Sequence, residues 1–268
     1  MSVHPQARVH EPARSKPHDE KTTPPVLVPR PGGIASRFAG AIGDPHPALA
    51  FIVALLVGFV VLAAASVLLA LFIVHVVVSP DGFGLGSADE ALPEVLAEHR
   101  TSLLTTLSEI GTEAGGSPVL PILVGIVAIV CACMKRWAIA AFAVFVLTAE
   151  SATYKVTSLL VPRDRPSVHR LEDLPVDASY PSGHTAASVA VYAGLVLLLT
   201  TTITGSLRKA LAWTGVILMV SFVAFSRMYR GMHHPLDVIG GLLIGIGAIL
   251  LLIFACRVAA AAAERRAR

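Results

Sequence analysis

The chain has 268 residues, of which 54% are hydrophobic and 15% charged, and its mean hydropathy is +0.72. A soluble domain of this length needs more charge to cover its surface, so these values exclude an ordinary soluble enzyme and point to a membrane protein. The net charge is only +3, no nucleic-acid partner is expected, and the cysteines Cys131, Cys133 and Cys256 all lie in apolar runs, against a disulfide framework or a metal site built on them.

Residues 1–45 are Pro-rich with scattered charges and no sustained apolar period, which reads as a disordered tail. Its lack of an early apolar core argues against a cleaved signal peptide. Residues 46–258 read as one membrane domain, followed by a short basic tail over 259–268. Crossing a bilayer core takes about 20 apolar residues in helical form. Runs at 48–78, 118–134, 137–161, 185–204, 210–225 and 236–256 predict an all-α bundle of six transmembrane helices. The fifth is short, and the third carries Glu150 and Lys155 inside an apolar run. Between the first two lies a polar stretch, 81–116, whose weak helical period over 92–107 suggests a segment along the membrane interface.

Basic residues orient this bundle. With both termini cytoplasmic, 14 of the 21 Lys and Arg residues fall inside, in the two tails and in the loops holding Lys135, Arg136, Arg208 and Lys209. Arg100 lies in the first outer loop. The other six, Lys155, Arg163, Arg165, Arg170, Arg227 and Arg230, gather at the outer ends of the third to sixth spans. Basic residues on the disfavoured side suggest an anionic ligand there. Arg100, Arg170 and Arg230 read as solvated surface, as do His99 and His169, and Glu150 as either a paired structural charge or part of a site.

Three segments share that outer side by the span count: Lys155 through Pro166, Tyr180-Pro181-Ser182-Gly183-His184, and Ser226-Arg227 through Asp237. His233 and Asp237 are four apart where a helix begins, so one face carries both. A carboxylate on one imidazole nitrogen fixes the tautomer and leaves the other nitrogen as a nucleophile. Pro181-Ser182-Gly183 opens an apolar helix and offers a phosphate its N–H groups and positive dipole end. Arg165 and Arg227 suit bidentate binding of phosphate oxygens. His184 is placed to protonate a departing alkoxide.

These residues resemble the type-2 phosphatidic acid phosphatase family, which shares its site with the vanadium haloperoxidases. Pro181-Ser182-Gly183-His184 is similar to the family's central motif. Ser226-Arg227, five residues, His233, three residues and Asp237 match its last motif. The resemblance covers residues 48–256 and implies a six-helix membrane bundle. It implies His233 as the nucleophile held by Asp237, and His184 as general acid and then base for the hydrolytic water. Lys155, Arg165 and Arg227, with Ser182 and Gly183, would bind phosphate, with no metal or other cofactor. The first motif departs from the pattern: nine residues separate Lys155 from Arg165-Pro166 instead of six, and Ser158 stands at the expected Lys position. One helical turn of displacement keeps Lys155 on a similar face about 4.5 Å lower, within reach of a snorkelling side chain. Arg163 is the substitute.

The function this implies is an integral-membrane lipid phosphatase with a phosphohistidine intermediate and an extracytoplasmic site, acting on a polyprenyl diphosphate, phosphatidic acid or phosphatidylglycerol phosphate. A phosphotransferase using the same site, or a non-catalytic lipid-binding or transport protein, is the alternative.

Overall fold

The computed structural model describes residues 23–43, 45–173 and 178–268. Helices α1 (Ile34–Ala41), α2 (Pro47–Phe72, with a π-helical turn Ile73–Val77), α3 (Gly86–Glu98), α4 (Ser102–Ala114) and α5 (Val119–Cys133) come first. They are followed by α6 (Trp137–Leu160), α7 (Gly183–Ser188, passing through a π-helical turn into α8, Gly194–Thr200), α9 (Ser206–Tyr229) and α10 (Pro235–Arg266). Among the described residues six helical stretches are long and apolar enough to cross a membrane. The chain is thus a multi-pass, all-helical membrane protein.

The helix ends follow from local chemistry. Pro47 and Pro235 occupy first-turn positions, where a missing N–H costs nothing. The imidazole of His46 accepts from Ala48 N at 3.2 Å, and Thr101 Oγ1 accepts from Leu104 N at 3.2 Å. Gly231 turns the chain between α9 and α10 at φ 73°, a left-handed conformation that suits a residue without Cβ.

The last helix, α10, is the most enclosed of the six spans, whereas most of α2 faces outward. One side of α10 is cut away by glycine. A Cβ at Gly240 would lie 2.5 Å from the Tyr180 ring, and one at Gly241 would lie 2.5 Å from Ser182 O. The 178–182 loop and the start of α7 therefore settle directly onto the α10 backbone, which brings the second and third sequence segments together.

Several boundaries differ from the sequence expectation. Of the expected tail, residues 1–22 and 44 lie outside the described residues, but Pro25–Leu27 and α1 are helical. Leu27 is buried in the main core, and Ala35 and Ala39 pack on Ala255, Val258 and Ala262 of α10. A face of small apolar residues supplies the packing that the Pro-rich composition conceals. The sixth span, expected over 236–256, continues in α10 to Arg266. The stretch expected to lie along the interface folds as α3 and α4, with Ser108, Gly111 and Thr112 of α4 buried in the bundle. The second span therefore begins at Ser102 and reaches Cys133 through a break near Pro118. The fifth span is longer than its apolar core, because Arg208, Lys209 and Arg227 are taken into its ends.

Candidate active site

The start of α10 is organised by Asp237. Its buried carboxylate accepts from His234 N at 2.8 Å, from the Ser179 hydroxyl, and from Arg163 Nη1 at 2.5 Å. It is thus a helix cap and the hub that ties two loops to the helix. His233 stands just before this cap. Its Nδ1 lies 2.7 Å from Ser179 O, whereas the Asp237 carboxylate is 3.8 Å away.

The expected bond from carboxylate to imidazole is corrected accordingly. A separation of 3.8 Å is too long for a hydrogen bond. Asp237 acts on His233 through Ser179, whose hydroxyl meets the carboxylate and whose carbonyl meets the ring. A carbonyl only accepts, so Nδ1 carries the proton and Nε2 keeps its lone pair. Burial, helped by the Arg227 charge and opposed by Asp237, pushes His233 down to about 4. The neutral ring is the form the site holds.

His233, His184, Arg165 and Arg227 line one cavity of about 320 Å³. Gly183 and Gly116 form close walls of it: a Cβ at Gly116 would sit 2.8 Å from His184 Nε2. Arg165 is strapped to both loops, through Nη1 to Met232 O at 2.6 Å and Nη2 to Ala178 O at 3.2 Å. Arg227 is fully buried, and its Nη1 donates to Thr112 Oγ1 and, at 2.8 Å, to Glu172 Oε2. Its Nε and Nη2 have no hydrogen-bond partner among the described residues. A buried guanidinium with two unpaired donors costs free energy unless an acceptor enters. Two donors on one planar group match two oxygens of a phosphate.

Ser182 does not line the cavity. Its hydroxyl is paired with Thr185 Oγ1 at 2.9 Å and its N–H donates to Asp237 O at 2.9 Å, so it shapes the turn while Gly183 meets the cavity. Lys155 is exposed beside Leu159 on the outward side of α6, and the buried position one turn on is taken by Ser158. A shift of three residues rotates a side chain by about 300°, enough to turn it off the cavity-facing stripe. Arg163 lies outside this cavity as well. It bridges Asp237 and Asp89, each at 2.5 Å. Burial works against its charge, but the two carboxylates outweigh it and raise its pKa. Arg163 is therefore a positioning residue in this geometry.

Sequence reasoning missed the acidic residues behind the site. Asp89 and Glu90 of α3 hold Arg163 and His234, the latter pair at 2.8 Å. Burial would lower the pKa of His234, but its bonds to Asp237 and Glu90 outweigh this and raise it. Glu172 pairs with Arg227 and, at 2.5 Å, with Arg230, whose charges hold its carboxyl below the ordinary range against the effect of burial. Arg230 is correspondingly buried rather than a surface residue, and Arg100 is half-buried. Arg230 also reaches Leu171 O at 3.0 Å, and Arg100 reaches Tyr229 O at 2.9 Å and His169 O at 2.8 Å. No spacing in the sequence signals these partners.

Residues 59–260 match the model of the PAP2 superfamily. Over 104 residues the chain is 35% identical to "Undecaprenyl-diphosphatase" of Sulfolobus acidocaldarius, 39% of this chain and 46% of that protein. Over 89 residues it is 33% identical to "Bacitracin transport permease protein BcrC" of Bacillus licheniformis, 33% of this chain and 39% of that protein. The chain thus spans less than half the length of either of these relatives. The crystal structure of a transmembrane PAP2 type phosphatidylglycerolphosphate phosphatase from Bacillus subtilis superposes with a TM-score of 0.59 at 25% identity, covering 75% of this chain and 92% of that one.

Proposed function

The chain belongs to the PAP2 superfamily, and from that premise we propose that it is an integral-membrane lipid phosphatase working through a phosphohistidine. The observation that carries this reading is the meeting of His184, His233, Arg165 and Arg227 around one cavity. The walls beyond them, Leu120, Pro121, Leu147 and Ala187, are apolar and belong to membrane helices, which suits the hydrocarbon of a lipid.

In this mechanism the lone pair on His233 Nε2 attacks phosphorus and the bond from phosphorus to the lipid oxygen breaks. His184 gives its proton to that oxygen as it leaves. Arg165 and Arg227 offset the charge that builds on the phosphoryl oxygens. His184, now neutral, takes a proton from water as the water attacks phosphorus, and the bond to His233 breaks to release phosphate. The arginines supply the cationic groups, and the mechanism invokes no metal or other cofactor.

The substrate is a lipid monophosphate or diphosphate reached from the bilayer. The distribution of Lys and Arg supports cytoplasmic termini and an extracytoplasmic site. The presence of both histidines argues against a purely lipid-binding or transport role. The test is phosphate release by purified protein from polyprenyl diphosphate, phosphatidic acid and phosphatidylglycerol phosphate, with EDTA present. Release from at least one lipid is expected, with its loss in His233→Ala. Release that needs added Mg²⁺ would overturn the mechanism.

A further inference from the structure

Among the described residues Glu150 is the acidic side chain that lines the candidate catalytic cavity, and the reaction above gives it no role. It is 1% exposed and sits within a membrane-length helix. The hydrogen bond it makes is accepted from its neighbour Ser151, at 3.0 Å. A carboxyl has more capacity than that one bond uses, and a polar group withdrawn from water at membrane depth is costly while its capacity is unmet.

Its depth is fixed by α6. Tyr154 stands against Gly183 at the phosphate level, since a Cβ on that glycine would lie 3.2 Å from the Tyr154 ring. Glu150 is four residues earlier, one helical turn or about 6 Å further into the membrane. Leu147 continues the same cavity-facing stripe. With phosphate held beside Gly183, Glu150 faces the first atoms beyond the ester oxygen. In a glycerol phosphate the oxygen on the second carbon falls in that region. In an alkyl or prenyl phosphate only hydrocarbon does, and burial against it would leave the carboxyl unsatisfied.

We propose that Glu150 is a specificity-determining residue that hydrogen-bonds the glycerol oxygen beside the phosphate ester, so that the site favours glycerol-linked lipid phosphates over alkyl or prenyl ones. The carboxylate accepts from a free hydroxyl, and the protonated acid donates to an ester oxygen. This assignment rests on the phosphatase reading.

The test compares phosphatidic acid with dodecyl phosphate, both monophosphates of a primary alcohol, in one detergent. The quantity read is the ratio of the two kcat/KM values within each preparation, which does not depend on the fraction of folded protein. Glu150→Leu and Glu150→Met should lower the ratio about tenfold, the loss of one buried hydrogen bond. Glu150→Gln, which still bonds oxygen, should keep it within about threefold. An unchanged ratio in the hydrocarbon variants, with both lipids turned over, overturns the assignment of Glu150 alone. Phosphate release from neither lipid by the wild-type protein overturns the phosphatase reading and this assignment with it.

Discussion

His233 Nδ1 is held by the carbonyl oxygen of Ser179 at 2.7 Å, and not by the carboxylate four residues further on. The nucleophile proposed here is thus oriented by the backbone of a distant loop, 54 residues away in sequence, while Asp237 fixes that loop. The carbonyl sets the tautomer by accepting from Nδ1–H, while the Asp237 carboxylate stands 3.8 Å from the same nitrogen.

The two histidines should separate by leaving group. His233→Ala should abolish both phosphoenzyme and turnover with any substrate. His184→Ala should cost about 10²–10⁴-fold on phosphatidic acid, whose alkoxide needs a proton. It should cost far less on p-nitrophenyl phosphate, measured as single-turnover phosphoenzyme formation. Equal losses in that step would contradict the general-acid role of His184.

Ser179→Ala keeps the carbonyl and loses only the hydroxyl that meets Asp237, so its kcat should fall less than about tenfold, the scale of one hydrogen bond. Asp237→Ala removes the helix cap and leaves Arg163 with one carboxylate, and should lower both activity and the unfolding midpoint. Thermal unfolding in detergent beside kcat makes the comparison. A Ser179→Ala variant as inactive as His233→Ala would show that the hydroxyl, and not the carbonyl, carries the function.

Lys155 and Arg163 should behave oppositely. Lys155→Ala, on the outward face of α6, should leave kcat/KM within about twofold, in line with an exposed charge. Arg163→Ala leaves Asp89 and Asp237 facing each other without their cation, and breaking such a buried pair typically costs about 3–5 kcal/mol. Its unfolding midpoint should drop by several degrees before any effect on KM is considered. A large rise in KM for Lys155→Ala would return that lysine to the phosphate site.

The acid limb of activity should lie low. The attacking form of His233 is neutral and its folded value is depressed to about 4. The nucleophile is therefore available above that pH and lost below it. The stability linked to this group is complete above the ordinary imidazole value of about 6.5 and declines as pH falls towards the folded one. The measurement is a pH profile of kcat/KM, corrected for substrate ionisation. An acid limb at pH 6–7 that shifts in His233 neighbours would place the ring in a wetter site than the one described.

The side of the membrane is open to direct labelling. In a chain with its native cysteines replaced, Ser167→Cys should react with an impermeant thiol reagent in intact cells, and Ser206→Cys should not. Both positions are exposed, at opposite ends of the bundle. The reverse pattern would invert the topology and leave the composition of the site untouched.

The sequence by itself determined the class of the protein, the number of spans, and the convergence of three polar segments on one end of the bundle. These follow from hydropathy and from counting crossings, which depend on composition and length alone. It also picked out His184, Arg165, Arg227 and His233 by residue type and spacing. What it misjudged were contacts made at long range. Helical phase put Ser158 inward and Lys155 outward. The small-residue face of α1 found α10 despite a Pro-rich surrounding. Which acid meets which base was decided by tertiary structure: Asp89 for Arg163, Glu90 for His234 and Glu172 for Arg227. Such pairs join residues on separate helices and loops, where no local period constrains them. Only the packing of α3 and of residues 161–173 and 178–182 against α9 and α10 sets those distances.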